Sequence, residues 1–190
     1  MYAALRRPLI AIARADRAAA RASARLRRPL LTPVCLAATY SGTAPVWLAA
    51  AVVFAVLVRR GYTGIPQLEG VLAAMMGSLV ALLTGQLMKL AFKRRRPFHA
   101  LDGHDTVGIL PKDKSMPSTH ASTAFALFIG LLRIGHPWTA PVAAWAGLVI
   151  FSRYYIGVHY PSDLLVGVLL GAACGCIDWT PVTQALLAAA

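Results

Sequence analysis

Long apolar stretches alternate with short polar breaks along most of the chain. The stretches cover residues 30–58, 68–92, 121–132, 138–155 and 164–177. Their apolar positions run on without the strict alternation of a half-buried strand, and their lengths suit helices. The sequence therefore predicts an all-α fold, a transmembrane helical bundle that takes in residues 29–190.

The first apolar stretch, residues 30–58, contains helix-breaking residues in its middle. Gly42 and Pro45 stand within a small polar cluster at residues 40–45, a pattern typical of a turn. The stretch could form one span of about 25 residues or a tight hairpin of two short spans. The chain then has five or six transmembrane helices, and we expect about six.

Residues 1–28 are rich in alanine and arginine. Five arginines follow one another at intervals of three or four residues, namely Arg14, Arg17, Arg21, Arg25 and Arg28. This spacing places all five on one face of a helix. The segment is interpreted as a basic amphipathic helix on the membrane surface. A solvated tail is the alternative, because the opposite face is only weakly apolar.

Composition supports a membrane protein with an anionic partner. The chain has 190 residues, of which 58% are hydrophobic and 14% are charged, whereas a soluble domain is roughly 25% charged. The formal net charge is +12. Nucleic-acid-binding proteins are usually polar and soluble, so we expect membrane lipids and a phosphate substrate as partners, and no nucleic acid.

Polar residues that could carry chemistry gather at the ends of the apolar stretches. They lie between Lys89 and Pro97, between Pro117 and His120, and between Ser152 and Asp163. In a bundle whose helices alternate in direction, these three places share one face. Together they supply cations, hydroxyls, two histidines and a carboxylate. That set suits phosphoryl transfer, in which positioned cations stabilise the charge on the phosphoryl oxygens.

The same residues form three spaced signatures. They are Lys89 followed after six residues by Arg96-Pro97, then Pro117-Ser118-Thr119-His120, then Ser152-Arg153 followed after five residues by His159 and after three more by Asp163. In this order the chain resembles the type 2 phosphatidic acid phosphatase (PAP2) superfamily, with signatures K-x6-RP, PSGH and SR-x5-H-x3-D. Three such signatures together are specific, whereas one alone is weak.

The resemblance implies a role for each of these residues. His159 would attack phosphorus, Asp163 would orient it, and His120 would protonate the leaving group. The phosphate would be bound by Lys89, Arg96, Ser118, Thr119 and Arg153. The resemblance implies neither a metal ion nor a cofactor.

Thr119 departs from the family pattern, which has glycine at this position. A left-handed backbone would strain threonine, whereas a site that needs only an amide N–H accepts it. We expect the second case. The neighbouring cations Lys93, Arg94 and Arg95 are interpreted as topology anchors, and the acids and histidines of residues 99–105 as parts of a solvent-facing loop.

The expected substrate is a lipid phosphate. We favour an undecaprenyl-diphosphate-type polyprenyl carrier, with phosphatidylglycerophosphate, phosphatidic acid and lipid A phosphates as alternatives. A non-catalytic lipid-binding or transport protein of the same fold is the hypothesis from another class. The sequence leaves the oligomeric state open.

The orientation in the membrane depends on the first apolar stretch. Eight arginines before residue 29 predict a cytoplasmic N-terminus. A hairpin at residues 30–58 would then place the site outside, whereas a single span would place it in the cytoplasm. The six-span family pattern favours the outer face of the plasma (inner) membrane.

Overall fold

The computed structural model describes residues 2–61, 67–108 and 110–189, and this part of the chain is helical without strands. It contains nine α-helices and a 3-10 turn at Ala24–Leu26. The helices are α1 Tyr2–Ser23, α2 Leu31–Ser41, α3 Ala44–Arg59, α4 Leu68–Phe92, α5 Pro97–Ala100, α6 Thr119–Arg133, α7 Thr139–Tyr155, α8 Pro161–Gly175 and α9 Thr180–Ala189. The prediction of an all-α fold is confirmed.

Helix α6 lies at the centre of the bundle and packs against α4, α7 and α8. Its contact with α8 is made by backbone: a Cβ added at Gly167, Gly171 or Gly175 would lie within 2.6 Å of a carbonyl oxygen of Ser118, Ser122 or Ala126. Glycines spaced four apart lie on one helix face and allow such close approach. The packing holds the N-termini of the two helices side by side.

One end of the bundle collects the chain segments that flank the central helices. At this end the amide of Ser118 donates to the carbonyl of Asp163 at 3.0 Å, and Arg96 donates to the carbonyl of Val158 at 3.0 Å. Residues 93–96, 113–120 and 153–163 therefore lie together, and we call this region the polar end.

Helices α2 and α3 divide the first apolar stretch, and their axes bend by 54°. Helix α2 begins at the polar end, where Thr32 bonds to Tyr155 at 2.8 Å. Helix α3 continues to the opposite end, where Phe54 packs against the cluster that contains Leu131. The stretch therefore passes through the bundle once, with a break at residues 42 and 43, and is not a tight hairpin.

Among the described residues, one helical stretch, Leu68–Ala100, is by itself long and apolar enough to cross a bilayer. The bent pairs α2–α3 and α8–α9 bring this to three if each pair counts as one span. Helices α6 and α7 have 15 and 17 residues, which at 1.5 Å per residue is less than the roughly 30 Å of a hydrocarbon core. The count of about six transmembrane helices stays a prediction.

Helix α1 lies across the polar end. Three of the five evenly spaced arginines lie in α1, namely Arg14, Arg17 and Arg21, and all five are exposed. In contrast, Asp16, Ala20 and Ser23 form a face that is at most 4% exposed. The hydroxyl of Tyr154, near the end of α7, donates to the carbonyl of Ala19 at 2.8 Å. A helix is thus present where the basic segment was predicted, and its position on a membrane surface stays a prediction.

The single passage of α2 and α3 through the bundle bears on which side of the membrane the site is expected to face. The prediction of an outward-facing site assumed that the chain crosses the membrane twice between the N-terminal arginines and α4. With one passage, α1 and the polar end lie at the same end of the bundle. This arrangement corresponds to the alternative in which residues 30–58 cross once.

Candidate active site

The structure brings all eight predicted site residues together at the polar end. Helices α4, α6, α7 and α8 each contribute near a terminus, and the α4–α5, α5–α6 and α7–α8 connections supply Arg96, Ser118 and His159. The residues are Lys89, Arg96, Ser118, Thr119, His120, Arg153, His159 and Asp163. All except His120 are less than 9% exposed.

His159 lies with its Nε2 atom towards the cations. The Nη1 atom of Arg96 is 3.1 Å from Nε2, and a guanidinium can only donate, so Nε2 accepts and the ring proton of a neutral imidazole is on Nδ1. Burial lowers the pKa of His159 well below its usual value, and the charges of Arg96, Arg153 and Lys89 lower it further. A neutral imidazole keeps the Nε2 lone pair available for attack.

Asp163 lies on the other side of the His159 ring. Its Oδ2 atom is 3.5 Å from His159 Nδ1, and it accepts hydrogen bonds from Ser115 Oγ at 2.5 Å and from the amide of Tyr160 at 2.9 Å. Its Oδ1 atom accepts from Arg94 Nη1 at 2.7 Å. The carboxylate is thus held on three sides and faces the nitrogen that carries the proton.

Asp113 connects two of the predicted phosphate-binding cations. Its Oδ2 atom accepts from Lys89 Nζ, and its Oδ1 atom accepts from Arg96 Nη2 at 2.6 Å. Burial alone would raise the pKa of Asp113, but the hydrogen bonds and charges of Lys89 and Arg96 outweigh it and hold the pKa at about 2. A carboxylate thus bridges two of the cations that are predicted to bind phosphate.

Several buried polar atoms of the site have no hydrogen-bond partner among the described residues. They are Ser118 Oγ, His120 Nε2, Arg153 Nε and His159 Nδ1. Buried polar groups are normally paired, because leaving one unpaired is costly. A bound phosphate would offer acceptor oxygens to the hydroxyl and to the guanidinium.

Thr119 is the first residue of α6 and is not among the described residues with positive φ. The position therefore needs no left-handed backbone, and its use as an amide donor stays a prediction. Its methyl group lies 3.0 Å from the position that a Cβ at Gly85 would take. The Thr119 side chain thus packs against α4 at Gly85, which has no side chain of its own.

A cavity of about 730 Å³ leads from the site into the bundle. Asp113, Thr119 and His120 line it at the polar end, and mostly apolar residues of α3, α4 and α9 line the rest. Along α4 the lining runs from Gln86 to Leu72, fourteen residues or about 21 Å of helix. The cavity has the size and the mostly apolar lining of a ligand pocket.

Sequence reasoning missed Asp16, Asp113 and Ser115, and it interpreted Arg94 as a topology anchor. None of these residues belongs to the three signatures, so spacing gave no signal for them. In the loop of residues 99–105, His104 bonds to the carbonyl of Gly157 at 2.8 Å and so supports the segment before His159. Within the described residues, no group of three or more His, Cys, Asp or Glu side chains could hold a metal ion.

Comparison with known families gives the same assignment as the three signatures. A sequence profile described as the PAP2 superfamily matches residues 69–184, which include α4, α6, α7, α8 and every predicted site residue. The chain belongs to the PAP2 superfamily. The match confirms the resemblance noted in the sequence.

Relatives within the PAP2 superfamily are named phosphatases. The chain is 40% identical over 108 residues to a decaprenylphosphoryl-5-phosphoribose phosphatase of Mycobacterium tuberculosis, a match that covers 56% of this chain and 58% of that protein. It is 33% identical over 95 residues to an undecaprenyl-diphosphatase of Sulfolobus acidocaldarius, covering 50% of this chain and 46% of that one. The chain thus spans about half the length of these relatives.

A solved PAP2 structure shows the same fold. It is the transmembrane PAP2-type phosphatidylglycerolphosphate phosphatase from Bacillus subtilis, with a TM-score of 0.69 and 23% identity. The superposition covers 93% of this chain and 86% of that one. At this identity the likeness shows the helical fold.

The position of Asp113 generates a prediction about phosphate binding. Asp113→Asn removes a negative charge that competes with phosphate for Lys89 and Arg96. Because the carboxylate is 41% exposed and solvent screens such pairs, the effect is modest, and we expect inorganic phosphate to inhibit the variant about fivefold more tightly.

The measurement is the inhibition constant of inorganic phosphate, with Asp102→Asn as the control. Asp102 is an exposed acid of the same connection, so this variant makes the same change in net charge away from the cations. Weaker phosphate binding in Asp113→Asn than in the control would show that Asp113 organises the cations and does not compete for them.

Proposed function

We propose that the protein is a membrane lipid phosphatase that removes the terminal phosphate of a lipid through a phosphohistidine at His159. The observation that carries the proposal is the position of His159 Nε2 beside the buried Arg96, in a site whose Thr119 and His120 line a mostly apolar cavity. Lys89, Arg96 and Arg153 are each at most 3% exposed. A phosphate group provides the charge that these cations need, and a lipid chain suits the cavity.

The reaction takes place in two displacements. The lone pair of His159 Nε2 attacks the terminal phosphorus, and the bond from that phosphorus to the bridging oxygen breaks, which is the anhydride oxygen of a diphosphate or the ester oxygen of a monophosphate. His120 in its protonated form donates its proton to this leaving oxygen. A water molecule then loses a proton to His120 and attacks the phosphohistidine, and inorganic phosphate leaves. Lys89, Arg96 and Arg153 stabilise the charge on the equatorial oxygens in both steps.

Binding of the substrate requires two local exchanges. The phosphate displaces the Asp113 carboxylate from Lys89 and Arg96, and it enters between Arg96 Nη1 and His159 Nε2. Asp163 stabilises the imidazolium that forms as Nε2 becomes bonded to phosphorus. The 3.5 Å separation of Asp163 Oδ2 from Nδ1 shortens as the ring acquires charge, since such contacts often tighten in the reacting complex.

The favoured substrate is an undecaprenyl-diphosphate-type polyprenyl carrier. Two observations support this choice: the long apolar cavity and the polyprenyl compounds named in the two relatives. Phosphatidylglycerophosphate, phosphatidic acid and lipid A phosphates are the alternatives. The alternative from another functional class is a lipid-binding or transport protein of the same fold. An inactive wild-type protein would favour it.

Phosphate release by the detergent-purified protein tests the function. Phosphate release by wild type, His159→Ala and His99→Ala is compared with and without EDTA on the polyprenyl, glycerolipid and lipid A phosphates named above. His99 is exposed and lies in α5 close to the site, so it controls for the loss of a histidine. We expect activity in wild type and His99→Ala, highest on a polyprenyl phosphate, and a loss of about 1,000-fold or more in His159→Ala.

Each outcome of this comparison discriminates between hypotheses. Activity retained in His159→Ala contradicts the nucleophile assignment, and activity lost on adding EDTA contradicts a metal-free mechanism. Folded wild-type protein that releases phosphate from none of the lipids favours the non-catalytic alternative.

We further propose that the active site opens on the cytoplasmic face. The eight arginines before residue 29 lie on the segment that packs at the polar end. Lys93, Arg94 and Arg95 lie at the same end. Positive charges near helix ends favour the cytoplasmic side, so the N-terminal helix and the active site are predicted to share that side.

Cysteine labelling in intact bacterial cells tests this orientation. Single cysteines replace the exposed residues Asp102, near the polar end, and Arg60, at the opposite end, in a chain without its three natural cysteines. An impermeant maleimide is expected to label Arg60→Cys in intact cells and Asp102→Cys only after permeabilisation. The reverse pattern places the site outside, as the six-span pattern predicted.

A further inference from the structure

Asp16 is a buried carboxylate on a helix whose neighbouring side chains are largely exposed. It is 4% exposed, although it belongs to the arginine-rich segment at the N-terminus. Acidic side chains are almost never this buried unless they are paired. Its partners lie far away in sequence, at residues 94 and 162.

Asp16 bonds to two segments that hold the catalytic carboxylate. Its Oδ2 atom accepts from Arg94 Nη2 at 2.6 Å and from Ser162 Oγ at 2.5 Å. Its Oδ1 atom accepts from the amide of Ser162 at 3.0 Å. Ser162 directly precedes Asp163 in the first turn of α8, so Asp16 fixes the backbone from which Asp163 projects.

Arg94 connects Asp16 to the carboxylate of Asp163. Its Nη2 atom bonds to Asp16, and its Nη1 atom bonds to Asp163 Oδ1 at 2.7 Å and to Ser162 Oγ at 2.7 Å. The guanidinium also stacks over the ring of Tyr160, 4.1 Å from the ring centroid. A planar guanidinium with two anchored nitrogens holds a carboxylate in one orientation.

We propose that Asp16 and Arg94 are positioning residues that hold Asp163 against His159, so that the N-terminal helix completes the active site. The inference rests on the proposed phosphatase function. Neither residue touches the phosphate, because the contacts run from Asp16 through Arg94 to Asp163 Oδ1, whereas His159 faces Oδ2. Loss of either residue therefore alters the orientation of the nucleophile and leaves the cations in place.

This role predicts a split between turnover and phosphate binding. Asp16→Asn and Arg94→Gln are expected to lower kcat about 10- to 100-fold, the range typical of groups that orient a functional ligand. The inhibition constant of inorganic phosphate is expected to stay within about twofold, since Lys89, Arg96 and Arg153 are unchanged. Arg94→Lys keeps the charge and is expected to restore part of the lost turnover.

Two comparisons separate positioning from a general loss of structure. Tyr154→Phe removes another contact of α1, the hydrogen bond to Ala19, and is expected to leave kcat unchanged. In the Asp163→Asn background, adding Asp16→Asn is expected to cost nothing further, because both changes act through the same carboxylate. Additive losses, or equal losses in Tyr154→Phe, would overturn the proposal.

A measurement that does not depend on catalytic turnover tests the positioning role independently of the proposed phosphatase function. In protein labelled with ¹⁵N-histidine, the His159 signal, assigned by its absence in His159→Ala, is expected to report Nδ1 protonation in wild type. Asp16→Asn is expected to shift or broaden the Nδ1 resonance, because Asp163 Oδ2 no longer lies at a fixed distance from that atom, while Arg96 keeps the proton on Nδ1. An unchanged signal would overturn the positioning role even if the wild type releases phosphate, whereas a changed signal in an inactive wild type would count against the phosphatase function alone.

Discussion

Three cations are buried at one end of an apolar bundle, and their charge governs the arrangement of the residues around them. Lys89, Arg96 and Arg153 are each at most 3% exposed, and burying a cation without a counter-charge is expensive. Asp113 compensates two of them, and Arg153 keeps an unpaired Nε atom. The site is therefore short of negative charge, which a phosphate group would supply under the proposed function. Burial, together with the charges of these cations, lowers the pKa of His159 and keeps its imidazole neutral.

Close helix packing places His159 among these cations. The glycines of α8 allow its backbone to contact that of α6, which sets Ser118 beside Asp163. Helix α7 and the connection after it bring Arg153 and His159 to the same place. The chemistry thus depends on backbone-to-backbone contacts in the middle of the bundle, and the N-terminal helix then covers the polar end from outside.

Much of this site could be predicted from the sequence, because the three signatures name residues at helix ends and the alternation of helices places those ends together. The residues that support the site could not be predicted in this way. Asp16 and Ser162 are 146 positions apart, and a single acid in a basic segment has no spacing that points to a partner. Asp113 likewise gave no pattern, although it lies only a few residues before Pro117.

The orientation in the membrane and the number of spans could not be predicted from the sequence for a different reason. The break at residues 40–45 was visible, but whether the chain reverses or bends there depends on how α2 packs along α7. The bond between Thr39 and Ser152 and that between Trp145 and Ser41 settle the course of α2, and they arise only in the folded bundle. The bend of 54° then takes α3 to the far end.

The central claim is that phosphate passes through His159. The direct measurement is mass-spectrometric mapping of the enzyme quenched in alkali during the first turnover of a polyprenyl phosphate, since phosphohistidine survives alkaline conditions. We expect phosphate on His159 that appears and decays at rates consistent with turnover. Phosphate on His120 or on another side chain, or a time series in which substrate is consumed and His159 stays unmodified, would contradict it.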